Sequence, residues 1–163
     1  MNAEAIIEKL GLEPLSEEGG FYRRTFTSKI LMGEAVSSEV SIGTCIYFLV
    51  TKEMFSAMHK IESDEIFHYY GGDTVEMLEL GENGEGKWCS IGFDIGKGVY
   101  PQKHVPKGRW QGLLIKEGGS FGYSLLGCAV TPGFLWKDFT LGDRAVLIQE
   151  YPHFSKDIES LTR

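Results

Sequence analysis

Apolar residues fall along the chain in short blocks separated by turn-forming residues, and most blocks have the period of strands. Ile42–Val50 is almost wholly apolar, the pattern of a buried strand. Phe21–Thr27 is rich in aromatic, β-branched and arginine residues and reads as another strand. Phe55–Ile61 and Glu65–Tyr70 form two short strands around Glu62, Ser63 and Asp64. Val75–Leu80 alternates, and Lys87–Phe93 returns beside it after Gly81–Gly86, whose Asn83-Gly84 pair is a strong hairpin-turn signal. His104–Pro106, Leu113–Lys116, Phe121–Val130 and Phe134–Phe139 complete about nine or ten strands. Helical patterns occur only at the ends. Ile6, Ile7 and Leu10 share a face of a helix over about residues 2–10, with Gly11 as its C-cap. Asp143 caps a helix running to Glu150 before Pro152, and Ser155 caps a last one ending near Leu161.

This arrangement predicts one all-β domain over residues 1–163, with a barrel or sandwich spanning about 20–140. Pattern alone leaves jelly roll, lipocalin-like barrel and other β-folds open. Composition agrees with many tight turns, because 21 of the 163 residues are glycine, without a collagen period. The 42% apolar and 12% aromatic fractions exclude a disordered chain. A net charge of −7 argues against nucleic acid as a partner. The charge is uneven: residues 1–85 carry 6 basic and 16 acidic side chains, residues 86–163 carry 10 and 7. A sandwich interleaves its two halves, so no pair of electrostatic lobes follows. Cys45, Cys89 and Cys128 lack a C-x-x-C spacing and read as free thiols of a reducing cytosol. The acidic N-terminus is not a signal peptide, and no stretch has the roughly 20 apolar residues of a membrane span. A cytoplasmic protein is expected.

Chemistry concentrates in two stretches. In the first, His59 and His68 accompany Glu62, Asp64, Glu65 and Asp73 on two adjacent strands, where cross-strand neighbours can converge. Ala57, His59 and Ile61 share one face; if Glu65 points inward, strict alternation also sends Phe67 and Tyr69 inward and turns His68 away. A bulge would reverse that. In the second, Pro106 and Gly108 make a turn leading to Arg109, Trp110 and Gln111. A phosphate loop at Gly81, Gly84 and Gly86 is disfavoured, because no Lys-Ser/Thr follows and a strand comes next. No Gly-x-Ser-x-Gly is present to support a serine nucleophile.

Together the two stretches resemble the paired motifs of the cupin superfamily, G-x5-H-x-H-x3/4-E-x6-G and G-x5-P-x-G-x2-H-x3-N. His59 stands at the first histidine, Ile61 at the second, Glu65 at the glutamate and Gly72 at the closing glycine. Pro106 and Gly108 fit the second motif, and Gln111 stands where its histidine belongs. Further matches resemble the cupin subfamily catalogued as a domain of unknown function. They are Gly19 to Arg23, Ser63-Asp64-Glu65 with His68, Val105-Pro106 through Gln111, and Leu126 to Phe134. The resemblance implies a double-stranded β-helix (jelly roll), a pocket inside the barrel and a homodimer. A metal-dependent cupin holds its ion with three histidines and a glutamate. Here Ile61 cannot ligate and Gln111 offers one weak amide oxygen, so no tightly bound metal is expected; a divalent ion would have to use His59, Glu65 and Gln111.

The expected activity is binding of a small polar ligand, sugar-like or carboxylate-bearing. His59 would act as general base, its pKa and tautomer set by the Glu65 carboxylate, with Tyr69 or another tyrosine as the acid, as metal-free epimerases of the superfamily use His and Tyr. Arg23, His68 and Gln111 would bind the ligand, Arg23 by reading an anion. Two alternatives are a metal-dependent oxygenase or isomerase with a degenerate site, and a non-enzymatic, storage-like cupin.

Overall fold

A computed structural model describes residues 1–33 and 40–163. Helix α1 (Ala3–Leu10) leads into strands β1 (Glu13–Pro14), β2 (Phe21–Thr27), β3 (Thr44–Thr51), β4 (Ser56–Ile61), β5 (Asp64–Gly72) and β6 (Val75–Leu80). They are followed by β7 (Gly86–Ile91), β8 (Gln102–Val105), β9 (Trp110–Ile115), β10 (Tyr123–Thr131) and β11 (Phe139–Leu141). Helices α2 (Arg144–Glu150) and α3 (Ser155–Ser160) end the chain.

The strands form two antiparallel sheets, ordered β1-β2-β3-β10-β5-β8 and β11-β4-β9-β6-β7. Sequence-distant strands alternate within each sheet, which is the jelly-roll arrangement expected. The acidic first half and basic second half therefore mix: Lys87, Lys103 and Arg109 all pair with Glu79, and Lys116 pairs with Glu76.

The main core lies between the sheets, where Phe48, Phe67, Met77, Leu113 and Leu126 are buried against one another. β3 reads as a near-continuous apolar run because it is central, flanked by β2 and β10. Outside the five-stranded sheet, Leu147 of α2 and Ile158 of α3 cover Met58, Leu78 and Leu80. The Asp143 side chain accepts from Val146 N–H at 2.9 Å and starts α2 as the sequence predicts. Outside the six-stranded sheet, α1 lays Ile6 on Leu49 and Tyr123. Its Asn2 and Gly11 caps, the latter at φ 59°, fix both ends. None of these helices is long and apolar enough to cross a membrane among the described residues.

Two sequence-level boundaries shift in ways that matter. β9 begins at Trp110 rather than Leu113, so Gln111 is a strand residue paired with His59 on β4 and Glu79 on β6. Phe134–Phe139 is not a strand. Only Phe139 enters β11, Trp136–Asp138 is a single 3₁₀ turn, and Phe134 and Trp136 pack edge-on in front of the sheets. The hairpin at Asn83-Gly84 forms as predicted, with φ of 58° and 76°. Gly72, the closing glycine of the first motif, takes φ 101°, and a Cβ there would strike the Tyr123 carbonyl.

Candidate active site in the barrel

The two motif stretches are tied together before any site is formed. Gly108 N–H donates to the Ile61 carbonyl at 2.8 Å. Asp64 Oδ1 accepts Lys107 N–H at 3.0 Å, and this bond, then His104, holds its carboxyl below the ordinary range. The β4–β5 hairpin and the β8–β9 turn thus have a fixed relation.

His59 and Gln111 face each other across β4 and β9, and Glu65 reaches them from the opposite sheet. His59 Nδ1 lies 2.8 Å from the Ala57 carbonyl. A carbonyl only accepts, so Nδ1 carries the proton and the neutral ring keeps its lone pair on Nε2. The Gln111 amide nitrogen donates to Glu65 Oε2 at 2.6 Å and lies 3.3 Å from His59 Nε2. Its two N–H groups serve both residues, while its Oε1 is buried with no hydrogen-bond partner. Glu65 is only 7% exposed. Burial lifts its carboxyl from the usual 4.5 to about 7; His59 opposes the rise and Glu18 adds to it.

His59 and Glu65 open onto a cleft whose empty space, counted out into the open solvent at its mouth, is about 580 Å³. Glu18 and Cys128 flank them at its inner end. Glu18 Oε2 lies 3.9 Å from His59 Nε2, and its other oxygen accepts from Ser56 Oγ at 2.5 Å. The Cys128 thiol is held well above its ordinary range by burial and then by the neighbouring Glu65 charge. Phe134, Trp136 and Phe139 form an aromatic wall, with Phe139 stacked on the His59 ring at 5.3 Å. Tyr22, Ile61 and Arg24 also line the cleft.

The sequence expectations divide on this geometry. His59 and Glu65 meet at the cavity. Gln111 joins them but stands behind, 1% exposed and not lining the cavity. Arg23 does not reach it: alternation along β2 turns Tyr22 and Arg24 inward and sets Arg23 outside, 5.5 Å over the Tyr47 ring. His68 is also outside, beside Tyr47 and Tyr70, with Nδ1 3.4 Å from Gln102 Nε2; no bulge intervenes between Glu65 and His68. Tyr69 does not line the cavity. Its hydroxyl donates to the Gly72 carbonyl at 2.5 Å, which spends it on the β5–β6 turn. Glu18, Arg24 and the aromatic wall were not singled out by the sequence. Glu18 sits in a loop with no motif, and β2 has no clean alternation to show which arginine faces inward.

A metal of the kind other cupins hold does not fit these residues. Ile61 supplies no donor, and Gln111 turns its amide nitrogen, not its oxygen, toward His59 and Glu65.

Two antiparallel sheets closing on an inward His–Glu pair, with the motif glycines at their turns, define a cupin-type jelly roll. The family model described as "Cupin superfamily (DUF985)" matches residues 4–142, and the chain belongs to that family. A Shewanella oneidensis protein solved by structural genomics is 31% identical with a TM-score of 0.90, the match covering 100% of this chain and 98% of that one. A hypothetical protein from Leishmania major is 30% identical with a TM-score of 0.89, and the match covers 99% of each chain. A mutant Bacillus subtilis oxalate decarboxylase is 12% identical with a TM-score of 0.54 over 92% of this chain and 37% of that one, a likeness of fold alone. No curated protein matches the chain.

Proposed function

We propose that this cupin binds a small hydroxylated, sugar-like ligand without a tightly held metal and moves a proton on it, as an isomerase or epimerase does. The observation that carries the reading is a pair of groups with opposite proton demands on one cavity. His59 keeps a lone pair on Nε2, and Glu65 keeps its proton to about pH 7. Once the ligand displaces the long Gln111 contact at 3.3 Å, His59 Nε2 takes a proton from a carbon next to a carbonyl, and the Glu65 acid returns one to that carbon. The imidazolium and carboxylate left behind exchange protons with solvent to restore the starting state. The Glu18 and Glu65 carboxyls can accept ligand hydroxyls, while the aromatic wall suits the C–H faces of a ring.

Incubating the protein in D2O with a panel of aldoses, ketoses and sugar acids tests this. Deuterium uptake at one ligand carbon is expected by NMR, undiminished by EDTA and abolished in His59→Asn and Glu65→Gln. Binding should also raise the melting temperature, since a ligand at 100 times its Kd adds about 2.7 kcal/mol. A panel giving neither exchange nor thermal shift overturns the reading.

A further inference from the structure

We propose that Arg24 makes this cavity selective for hydroxylated ligands that carry an anionic group, a carboxylate or a phosphate; this rests on the preceding reading of the cavity. The cavity is electrostatically graded from end to end. Its inner end holds two carboxyl groups, Glu18 and Glu65, beside His59. Its outer end holds Arg24, the one Lys or Arg lining it among the described residues. Glu65 and His59 are buried, whereas Arg24 is exposed and Trp136 beside it is half open. An anion pushed to the inner end would meet two carboxyl groups and no basic side chain other than His59. At the mouth it meets a guanidinium.

Arg24 is placed for this by its strand. It pairs with Ile46 across β2 and β3, and both side chains face the cavity. Its guanidinium carbon lies 5.9 Å from the centre of the Phe134 ring, so the fork is oriented along the aromatic wall. Among the described residues it enters no ion pair, unlike Lys87, Lys103, Arg109 and Lys116. Its planar donors match a carboxylate or phosphate in bidentate fashion. A ring lying on Phe134 and Trp136 would then present its hydroxyls to Glu18 and Glu65 and its anionic substituent to Arg24. Arg23 cannot substitute, because it lies on the opposite face of β2.

The test is calorimetric titration of the wild type, Arg24→Met and Arg24→Lys with neutral hexoses, the corresponding hexuronic acids and hexose 6-phosphates. Wild type should bind the anionic members at least about 10-fold tighter than the neutral ones, as a charge-assisted bond allows. Arg24→Met should remove that advantage, so that anionic and neutral members bind with similar affinity; Arg24→Lys should keep part of it. Whether uronate or phosphate binds tighter tells which anion the mouth fits. Neutral hexoses binding as tightly as the anionic ones, or an advantage that survives Arg24→Met, overturns this inference while the cavity reading stands. No binding by any member overturns both. Circular dichroism of the variants confirms that they fold.

Discussion

Gln111 and Glu65 stand on opposite sheets and meet inside the barrel, amide nitrogen to carboxylate oxygen, at 2.6 Å. This contact occupies the place where a histidine and a glutamate of the cupin motifs would share a metal. An amide donor replaces a metal's pull on the carboxylate, but it is far weaker. Glu65 therefore remains an acid of about 7 rather than a permanently ionised ligand. The same amide reaches toward His59 Nε2, so one side chain sets the spacing of both reactive groups.

Replacing Gln111 by Leu should cost stability mainly where Glu65 is ionised. The substitution removes the amide that donates to Glu65 Oε2 at 2.6 Å, and also the unpartnered Oε1. The expected loss is about 2 kcal/mol near pH 8, as for a hydrogen bond to a buried charge, and less than half of that near pH 5. Urea unfolding at both pH values measures it. An equal loss at both would show that the amide is not serving the charged form.

Glu65 should also impose a specific slope of stability on pH. Its folded value of about 7 lies above the usual 4.5, so between those values the folded chain holds a proton that the unfolded chain has released. The favourable contribution is complete below the lower value and disappears as pH rises through the upper one. Comparing wild type with Glu65→Gln cancels the other titrating groups. The variant should gain on the wild type by about 3 kcal/mol across that window. A difference that does not change with pH would mean that Glu65 titrates as an ordinary carboxyl.

Part of this site was readable from the chain and part was not, for a physical reason. His59, Glu65 and Gln111 lie on strands whose spacing and turn residues announce their register, and strict alternation along β5 sent Phe67 inward and His68 outward. Glu18 has no such context. It reaches His59 because Ala57 N–H donates to the Glu18 carbonyl at 2.8 Å, a contact between residues far apart in sequence. The choice between Arg23 and Arg24 is a one-residue question of parity, and one step along a strand exchanges inside for outside. Tyr69 pointed the right way along its strand, but its hydroxyl was taken by the Gly72 carbonyl, which no periodicity could reveal.

Away from the cavity, Asp73 should be a stabilising residue of comparable weight. It is buried, and its two carboxylate oxygens accept the backbone N–H groups of Ser120, Phe121 and Gly122 at 2.7–3.1 Å. Asp73→Ala leaves those donors without their acceptor and should cost about 3 kcal/mol. Hydrogen exchange at these three amides should accelerate more than at β3. Gly119→Ala should act in the same direction, because its Cβ would strike the Asp73 carboxyl. Unchanged exchange in Asp73→Ala would show that the turn holds without the carboxylate.

The donor set itself can be put to the test by restoring it. Ile61 lines the cavity, and Gln111 already pairs with His59 and touches Glu65. Ile61→His with Gln111→His would give three histidines and a glutamate at the motif positions of metal-dependent cupins. Wild type purified without chelator should contain below ~0.1 equivalent of Mn, Fe, Ni or Zn, whereas the double variant should take up about one. Elemental analysis reads the stoichiometry. A melting temperature that falls on adding EDTA only in the double variant shows that the metal is bound to the folded barrel. Near-stoichiometric metal in the wild type would instead mean that Glu18, His59 and Glu65 rearrange around an ion, and the metal-free reading of this cavity would fall.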